Sequence, residues 1–285
     1  LRKRHTEFAK RSFTGALIFG TIFTIAAPIS GHFQARNVYE HQPAKMAAFE
    51  GHFETGVGDL TLLGWPDGEA REVKGNVALP GFLSFLIHDD FDTPVVGLDQ
   101  FDRADWPPLG ISFSSYRLMI GFGMFMLVLC LVAMYFRARG TLYDKRWLLM
   151  LFVIAVVPAV LANQLGWVAA EVGRQPWIVH PDVQWADYEA GQLVVGPEGT
   201  FVYDESQGLR TSNAVSAAIT SGQVTGSIIG FGLVYVLLGM VWVFVLNSKI
   251  HQGPTPPEET EPPDQTTGQG LADAAGARLS HERDD

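Results

Sequence analysis

The sequence predicts an all-α integral membrane protein, a helical bundle with about four transmembrane helices and long outer loops. The first observation is compositional: 47% of the 285 residues are hydrophobic and only 18% are charged. The second is that apolar residues gather in four runs of about twenty residues, the length that spans the hydrocarbon core of a bilayer. The third is that basic residues gather at one set of run ends, which orients the helices.

The four apolar runs define the predicted helices. They cover residues 12–31, 114–136, 147–170 and 224–246. None alternates between apolar and polar residues as a barrel strand does, and only helices and closed barrels satisfy every backbone group inside a membrane. We therefore expect four transmembrane helices.

Basic side chains crowd one side of the predicted membrane. The two long loops, 32–113 and 171–223, are poor in them for their length. Because positive charge favours the cytoplasmic side, we expect the segment 1–11, the short loop 137–146 and both termini to be cytoplasmic, and both long loops to face outward. The basic residues in question are Arg2, Lys3, Arg4, Lys10, Arg11, Arg137, Arg139, Lys145, Arg146 and Lys249.

Composition and chain ends narrow the class further. The formal net charge of −10 argues against nucleic-acid binding, and it is typical both of high-salt organisms and of acidic tails. The single cysteine, Cys130, lies inside a predicted helix, so the chain has no partner for a disulfide. Residues 247–285 are rich in Pro, Gly, Glu and Thr, which predicts a disordered cytoplasmic tail. Because the sequence starts at Leu1 without a signal peptide, we expect it to be part of a longer chain.

Two side chains near the second predicted helix are site candidates. An ionisable residue at membrane depth is costly and is commonly functional, which singles out Arg117. Met119 projects about 200° away from Arg117 on a helix, and a methionine thioether is a soft ligand that raises the potential of a haem iron. A methionine in an apolar helix is far more often packing, so the pattern alone leaves both interpretations open.

The third predicted helix ends in GWVAAEVGRQPW, residues 166–177. Glu171 and Arg174 are about one turn apart and could form an interfacial salt bridge, with Trp167 and Trp177 as headgroup anchors. Alternatively, Glu171 is an iron ligand or a proton-handling carboxylate, and Arg174 binds a haem propionate. Charge placement does not decide between these two interpretations.

Histidine, the usual nitrogen ligand of haem, is missing from the predicted membrane helices. All eight histidines fall outside the four apolar runs. Any haem would therefore need nitrogen ligands from other helices.

The stretch QPAKMAAFEGHFET, residues 42–55, follows the first predicted helix on its outer side. Met46, Phe49 and Phe53 recur at i, i+3 and i+7, which predicts a helix with one apolar face. The charged side chains off that face are Lys45, Glu50 and Glu54. The pattern alone predicts an amphipathic helix at the membrane surface.

Several segments together resemble subunit I of cytochrome bd-type quinol oxidases. QPAKMAAFEGHFET resembles the start of that family's quinol-binding loop, and LLGWPDGE (62–69) and DTPVVGL (92–98) resemble later pieces of it. YRLM (116–119) is similar to the helix that supplies a haem methionine, and GWVAAEVGRQPW is similar to the family's most recognisable segment. The motifs follow one order on matching sides of the membrane, which is more specific than any motif alone. The likeness covers the chain except residues 178–209 and the tail, and the loop 32–113 is short, as in the short-loop branch of the family.

This resemblance implies roles for the first four candidates. In the outer quinol-binding loop, Lys45 would hold the quinone oxygen and Glu50 would accept a proton from the quinol. Met119 would ligate the iron of the low-spin haem b, with Arg117 as its neighbouring arginine.

The resemblance also implies roles near the end of the third helix. Glu171 would ligate the iron of the high-spin haem b, and Trp167 would lie between the haems. Arg174 belongs to the GRQPW signature that opens the outer loop 171–223. The complete enzyme would oxidise quinol at the outer face of a prokaryotic cell membrane and pass electrons through two b haems to a third haem, of d or b type, where dioxygen becomes water.

The sequence departs from the family in having four predicted helices where members have about nine. It resembles the C-terminal half of the subunit, so the expected partners are the N-terminal half, subunit II and small accessory subunits. Two other functions remain open: a membrane anchor or split subunit without working haem sites, and a small transporter. Inverted repeats or broken helices would favour a transporter, and the sequence shows neither.

Overall fold

A computed structural model describes residues 6–216 and 218–252 of the chain. The predicted basic residues Arg2, Lys3 and Arg4 and the predicted tail beyond residue 252 lie outside these ranges. Contacts divide the chain into two units, Leu1–Ser216 and Ala217–Asp285. The second unit contains one long helix, Ser221–Gln252.

Seven helices and eight short strands make up the described chain. In chain order they are α1 (Thr6–His41), α2 (Pro43–Glu50), β1 (Gly56–Val57), β2 (Leu60–Asp67), β3 (Glu72–Leu79), α3 (Phe82–His88), β4 (Pro94–Val95), α4 (Leu109–Ala138), α5 (Arg146–Ile154), α6 (Val156–Val172), β5 (Trp177–Val179), β6 (Trp185–Asp187), β7 (Gln192–Leu193), β8 (Leu209–Arg210) and α7 (Ser221–Gln252).

Within the described residues, four helical stretches are long and apolar enough to cross a membrane. They are Thr6–His41, Leu109–Ala138, Arg146–Val172 and Ser221–Gln252. The predicted membrane helical bundle is thereby confirmed. Each helix is longer than the apolar run that predicted it, because polar residues at the run ends continue the helical hydrogen bonding.

The first helix is longer than the hydrocarbon core of a bilayer is thick. Its 36 residues extend about 54 Å at 1.5 Å per residue, against a hydrocarbon thickness of about 30 Å. The outer part of α1 packs on α3, and Asp89 just after α3 pairs with His32 Nε2 at 3.2 Å and with Arg36 Nη1 at 2.6 Å. This extension gives the outer loops a rigid support.

The third span is not one continuous helix, contrary to the sequence expectation of an unbroken run. It breaks at Ala155, between α5 and α6. Proline has no N–H to donate to the carbonyl four residues earlier in a helix, and its ring crowds that carbonyl. Pro158 therefore leaves the carbonyl of Ile154 without its helical hydrogen bond. The residues at the break are apolar, so it offers no polar binding site of the kind that broken transporter helices provide.

The strands all lie in the long loops and pair as four antiparallel two-stranded sheets, β1–β4, β2–β3, β5–β8 and β6–β7. The sheet β6–β7 lies within the segment 178–209, and the strands of β5–β8 lie at its two ends. The hairpin β2–β3 was not predicted, because Gly64 and Pro66 interrupt its alternation. It packs on the outer end of α4, where Trp65 lies beside Gly110.

One hydrophobic core joins the two long loops. Its buried members come from α1, α2, α3, the segment between β4 and α4, and the segment after α6: Tyr39, Ala44, Met46, Leu83, Ile87, Val96, Phe101, Trp177, Phe201 and Tyr203, among others. Polar contacts reinforce it: Trp185 Nε1 donates to the Glu40 carbonyl at 3.0 Å, and the Phe201 N–H donates to the Gln100 carbonyl at 2.8 Å. The extra segment 178–209 is therefore packed on the loop that contains α2.

Candidate functional site

The short helix α2 carries two of the predicted site residues. It begins with Pro43 and ends where Gly51 takes a left-handed conformation, φ 65°, which glycine adopts at little cost. The helix thus stops at Glu50, and Phe53 and Glu54 lie beyond it. Every residue of α2 except Lys45 is buried, so the prediction of an amphipathic surface helix is wrong: α2 is a buried connecting helix.

Glu50 forms an ion pair with Arg117 of α4. The carboxylate is fully buried, and the arginine side chain is 10% exposed. Arg117 Nη2 donates to Glu50 Oε2 and also to the Phe49 carbonyl, at 3.3 Å. Burial raises the pKa of Glu50, and the Arg117 charge opposes that rise. The second carboxylate oxygen, Oε1, is buried and makes no hydrogen bond within the described residues, so it is a vacant acceptor.

Phe49 packs α2 against both α4 and the end of α6. Its ring stacks on Tyr116 of α4, with centroids 4.4 Å apart and planes 12° apart. On the other side, the ring lies against Gly173, where an added Cβ would come within 2.5 Å of it. Glycine is required there because the helix end and the aromatic ring approach so closely.

Lys45 faces the outer end of α6. Its Nζ donates to the Ala170 carbonyl at 3.3 Å. Burial lowers the pKa of Lys45, the Arg174 charge lowers it further, and the Glu171 charge raises it. Lys45 and Glu50 therefore point to different neighbours: one meets the end of α6, and the other meets α4.

Glu171 and Arg174 form the predicted ion pair. Arg174 Nη2 lies 2.5 Å from Glu171 Oε2, and both side chains are about two-fifths exposed. The nearby Trp167 side chain is 64% exposed on α6. This ion pair uses one carboxylate oxygen of Glu171, so the structure is compatible with both interpretations of that residue.

Met119 lies two residues after Arg117 and contacts α6. Its sulfur would be only 2.8 Å from a Cβ added at Gly166, so the absence of a side chain at Gly166 lets the thioether lie against that helix. A groove of about 540 Å³ lies between α4 and the α5–α6 segment, within the range of small-molecule sites. It is lined by Met126, Phe152, Val160, Asn163 and Gln164, among others.

The donors present fit a haem in their chemistry. Met119 offers a thioether, a soft ligand for haem iron, and Glu171 offers a carboxylate at the end of α6. All eight histidines lie outside the four apolar runs, so nitrogen ligands would have to come from outside this chain's membrane helices.

Three residues near the site were not singled out from the sequence. Gln42 lies directly before α2, and its Oε1 is buried without a hydrogen-bond partner among the described residues. In the sequence, it could have been noticed only as a polar residue before the proline that starts a helix. Gly173 could have been noted as the glycine of GRQPW. His180 opens a segment that matched no motif, and its position depends on tertiary packing that the sequence pattern does not reveal.

The chain is similar to known proteins of one family. The family described as cytochrome bd terminal oxidase subunit I matches residues 1–254. The chain is 30% identical over 266 residues to the cytochrome bd ubiquinol oxidase subunit 1 of Bacillus subtilis, with 89% of this chain and 51% of the relative covered. It is 31% identical over 249 residues to a putative cytochrome bd menaquinol oxidase subunit I of the same organism, covering 86% and 49%.

A solved structure shows the same fold. The bd oxidase from Geobacillus thermodenitrificans matches with a TM-score of 0.64 and 25% identity, over 89% of this chain and 52% of the other. The chain spans about half the length of the curated relatives it matches.

Proposed function

This chain belongs to the cytochrome bd terminal oxidase subunit I family, and from that membership we propose that it forms the C-terminal half of subunit I of a quinol oxidase. The complete complex would oxidise quinol at the outer face of a prokaryotic cell membrane and reduce dioxygen to water. Its other parts would be the N-terminal half of the subunit, subunit II and small accessory subunits. The distribution of basic residues predicts that both termini are cytoplasmic and that the loop 32–113 faces outward. Protons from a quinol bound in that loop would therefore be released outside.

The observation that carries this proposal is the placement of α2. One short buried helix links Lys45 to the Glu171 end of α6 and Glu50 to the Arg117 end of α4. The residues expected to bind quinol are thereby tied to both helices expected to bind haem. Electron transfer requires the quinol to bind close to the haems. A helix that served only to lie on the membrane surface would not need to be buried between α4 and α6.

Lys45 and Glu50 would each interact with one oxygen of the quinol. The two hydroxyls of a quinol lie at opposite ends of its ring, so two separated groups can each address one of them. The Lys45 ammonium would hold and polarise one oxygen. The vacant Oε1 of Glu50 would take a proton from a hydroxyl that reached it, while Arg117 keeps the carboxylate in place.

Haem would supply the one-electron steps and the reduction of oxygen. Met119 would hold the low-spin haem b and Glu171 the high-spin haem b, and the third haem, of d or b type, would be held by other parts of the complex. Trp167 and Arg174 would line the neighbouring surfaces. Arg117, two residues from Met119, would place a positive charge beside the low-spin site.

Replacing Glu50 by Gln in the complete oxidase tests the quinol site. An amide cannot take a proton, so we expect quinol oxidation to fall by roughly 100-fold, the scale of general-base catalysis. Oxygen consumption driven by an artificial electron donor, and the haem spectra, should be retained.

Glu54→Gln is the matched control, because Glu54 is exposed four residues away and outside α2. It should leave quinol oxidation unchanged. Normal quinol turnover in the Glu50→Gln enzyme would exclude Glu50 from the site.

A further inference from the structure

His180 lies next to the proposed quinol site and has no role in it so far. It follows β5 and is partly buried. Its ring packs edge-on against Tyr203, with centroids 5.2 Å apart, and lies 6.2 Å from the ring of Trp177. Trp177 and Tyr203 are buried in the same hydrophobic core as Ala44, the residue before Lys45.

The hydrogen bonding of His180 fixes which ring nitrogen is free. Nδ1 lies 2.8 Å from the Pro181 carbonyl. A carbonyl can only accept, so in the neutral ring Nδ1 carries the hydrogen and Nε2 carries the lone pair. Within the described part of the chain, the hydrogen bond of His180 is made by Nδ1 and not by Nε2. The imidazole is therefore oriented as a base with its acceptor nitrogen unoccupied.

Burial and the nearby Lys45 charge favour the neutral form of His180. Burial lowers the pKa of His180, the Lys45 ammonium on α2 lowers it further, and Asp182 and the bond to Pro181 oppose them. The other polar group packed against the ring is the Tyr203 hydroxyl, and burial raises the pKa of Tyr203, so this hydroxyl stays protonated. Lys45 also interacts electrostatically with Glu171 and Arg174.

Quinol oxidation needs two proton acceptors, and Glu50 provides one. Oxidising a quinol to a quinone releases two protons and two electrons. The Glu50 carboxylate is fully buried and already shares one oxygen with Arg117. A second acceptor should lie near Lys45, on the partly exposed side where the proton can leave.

We propose that His180 is this second proton acceptor, a catalytic residue of the outer quinol site. This proposal rests on the proposed function. In the step, the O–H bond of the quinol hydroxyl held near Lys45 breaks and the proton moves to Nε2 of His180. The proton of the other hydroxyl would go to Glu50, and the two electrons would be taken up one at a time by the haems that the complete oxidase supplies. The imidazolium would then return its proton to the outer solvent.

The test is His180→Gln in the complete oxidase, assayed across pH with quinol and with an artificial one-electron donor. We expect the quinol-driven kcat to fall by about 10- to 100-fold, with a much smaller change in KM. The acid limb of the pH profile should lose the contribution of His180 and keep that of Glu50, because each base is inactivated by its own protonation. Donor-driven oxygen consumption and haem spectra should stay unchanged.

Two further variants separate catalysis from structure. In His180→Ala, added imidazole should restore part of the quinol-driven rate, which a purely structural role would not allow. His32→Gln removes another outer imidazole, one paired with Asp89, and should leave the pH profile as it was.

The outcomes are distinguishable from failure of the quinol site itself. If His180→Gln keeps its kcat and an unchanged acid limb while Glu50→Gln loses activity, the site stands and the His180 role is overturned. Equal losses of quinol-driven and donor-driven activity without imidazole rescue would also overturn it, since they indicate misfolding. If His180→Gln loses activity and Glu50→Gln does not, His180 is an acceptor and Glu50 is not.

Discussion

Two ion pairs, one near the start of α4 and one at the end of α6, contain four of the predicted site residues. Glu50–Arg117 is buried, and a buried pair that loses one partner leaves an uncompensated charge. Glu171–Arg174 is partly exposed, and such pairs contribute about 1 kcal/mol or less. Disruption of the buried pair should therefore cost more folding stability than disruption of the exposed pair.

Met119→Leu tests the proposed low-spin haem ligand at the same scale. Leucine keeps most of the volume, so packing should cost less than about 1.5 kcal/mol, whereas the sulfur is lost. In the complete oxidase, the midpoint potential of one haem b should fall, or that haem should become high-spin, in a potentiometric optical titration. Met124→Leu, at an exposed position on the same helix, should change nothing. An unchanged titration of the Met119→Leu enzyme would show that the iron is bound elsewhere.

At the scale of elements, α2 depends on close packing against the end of α6. The contact between the Phe49 ring and Gly173 leaves no room for a methyl group. The ring cannot move freely, because its other face is stacked on Tyr116. The position of α2, and with it of Lys45 and Glu50, is set by this fit.

Gly173→Ala should therefore displace α2 and destabilise the outer loops. Overpacking of this kind costs about 1–3 kcal/mol, and it should raise the KM for quinol because Lys45 moves with the helix. Thermal unfolding and quinol kinetics of the complete oxidase measure the two effects. Gly56→Ala is the control, because an added Cβ there meets nothing. Equal stability and KM in both variants would refute this packing role.

Local sequence patterns predicted the membrane helices but not the environment of α2. The four helices follow from apolar runs, which need no knowledge of neighbours. Glu50 was expected off an apolar face, yet it is buried because Arg117, 67 residues later, compensates its charge. The break at Ala155 could have been anticipated from Pro158. The position of His180 could not, because it depends on how two loops separated in sequence share one core.

At the scale of the whole first unit, that shared core should make the outer loops sensitive to acid. Burial lowers the pKa of His52, His88 and His180 below the ordinary value of 6.5. Below that value the unfolded loops bind protons that the folded loops do not, so stability is present above it and falls as pH decreases.

Hydrogen exchange measures this dependence. After correction for intrinsic rates, amides of α3 and β5 should open more readily at about pH 5.5 than at about pH 7.5. His88→Gln should weaken the dependence by removing one of the three groups. Equal protection at both pH values would contradict the shared-core explanation.

The central claim is that this chain is part of a bd-type oxidase whose haem ligands lie beside α2, and Glu171→Gln in the complete oxidase tests it most directly. Arg174→Gln is the comparison, because it breaks the same ion pair but keeps the carboxylate. Optical and redox spectra of the high-spin haem b are measured in both. We predict that Glu171→Gln selectively perturbs or loses that haem and that oxygen reduction falls with it, whereas Arg174→Gln retains the iron ligation. An unchanged high-spin signal in Glu171→Gln, with the same modest loss of stability as in Arg174→Gln, would contradict the claim and reduce Glu171 to a salt-bridge partner.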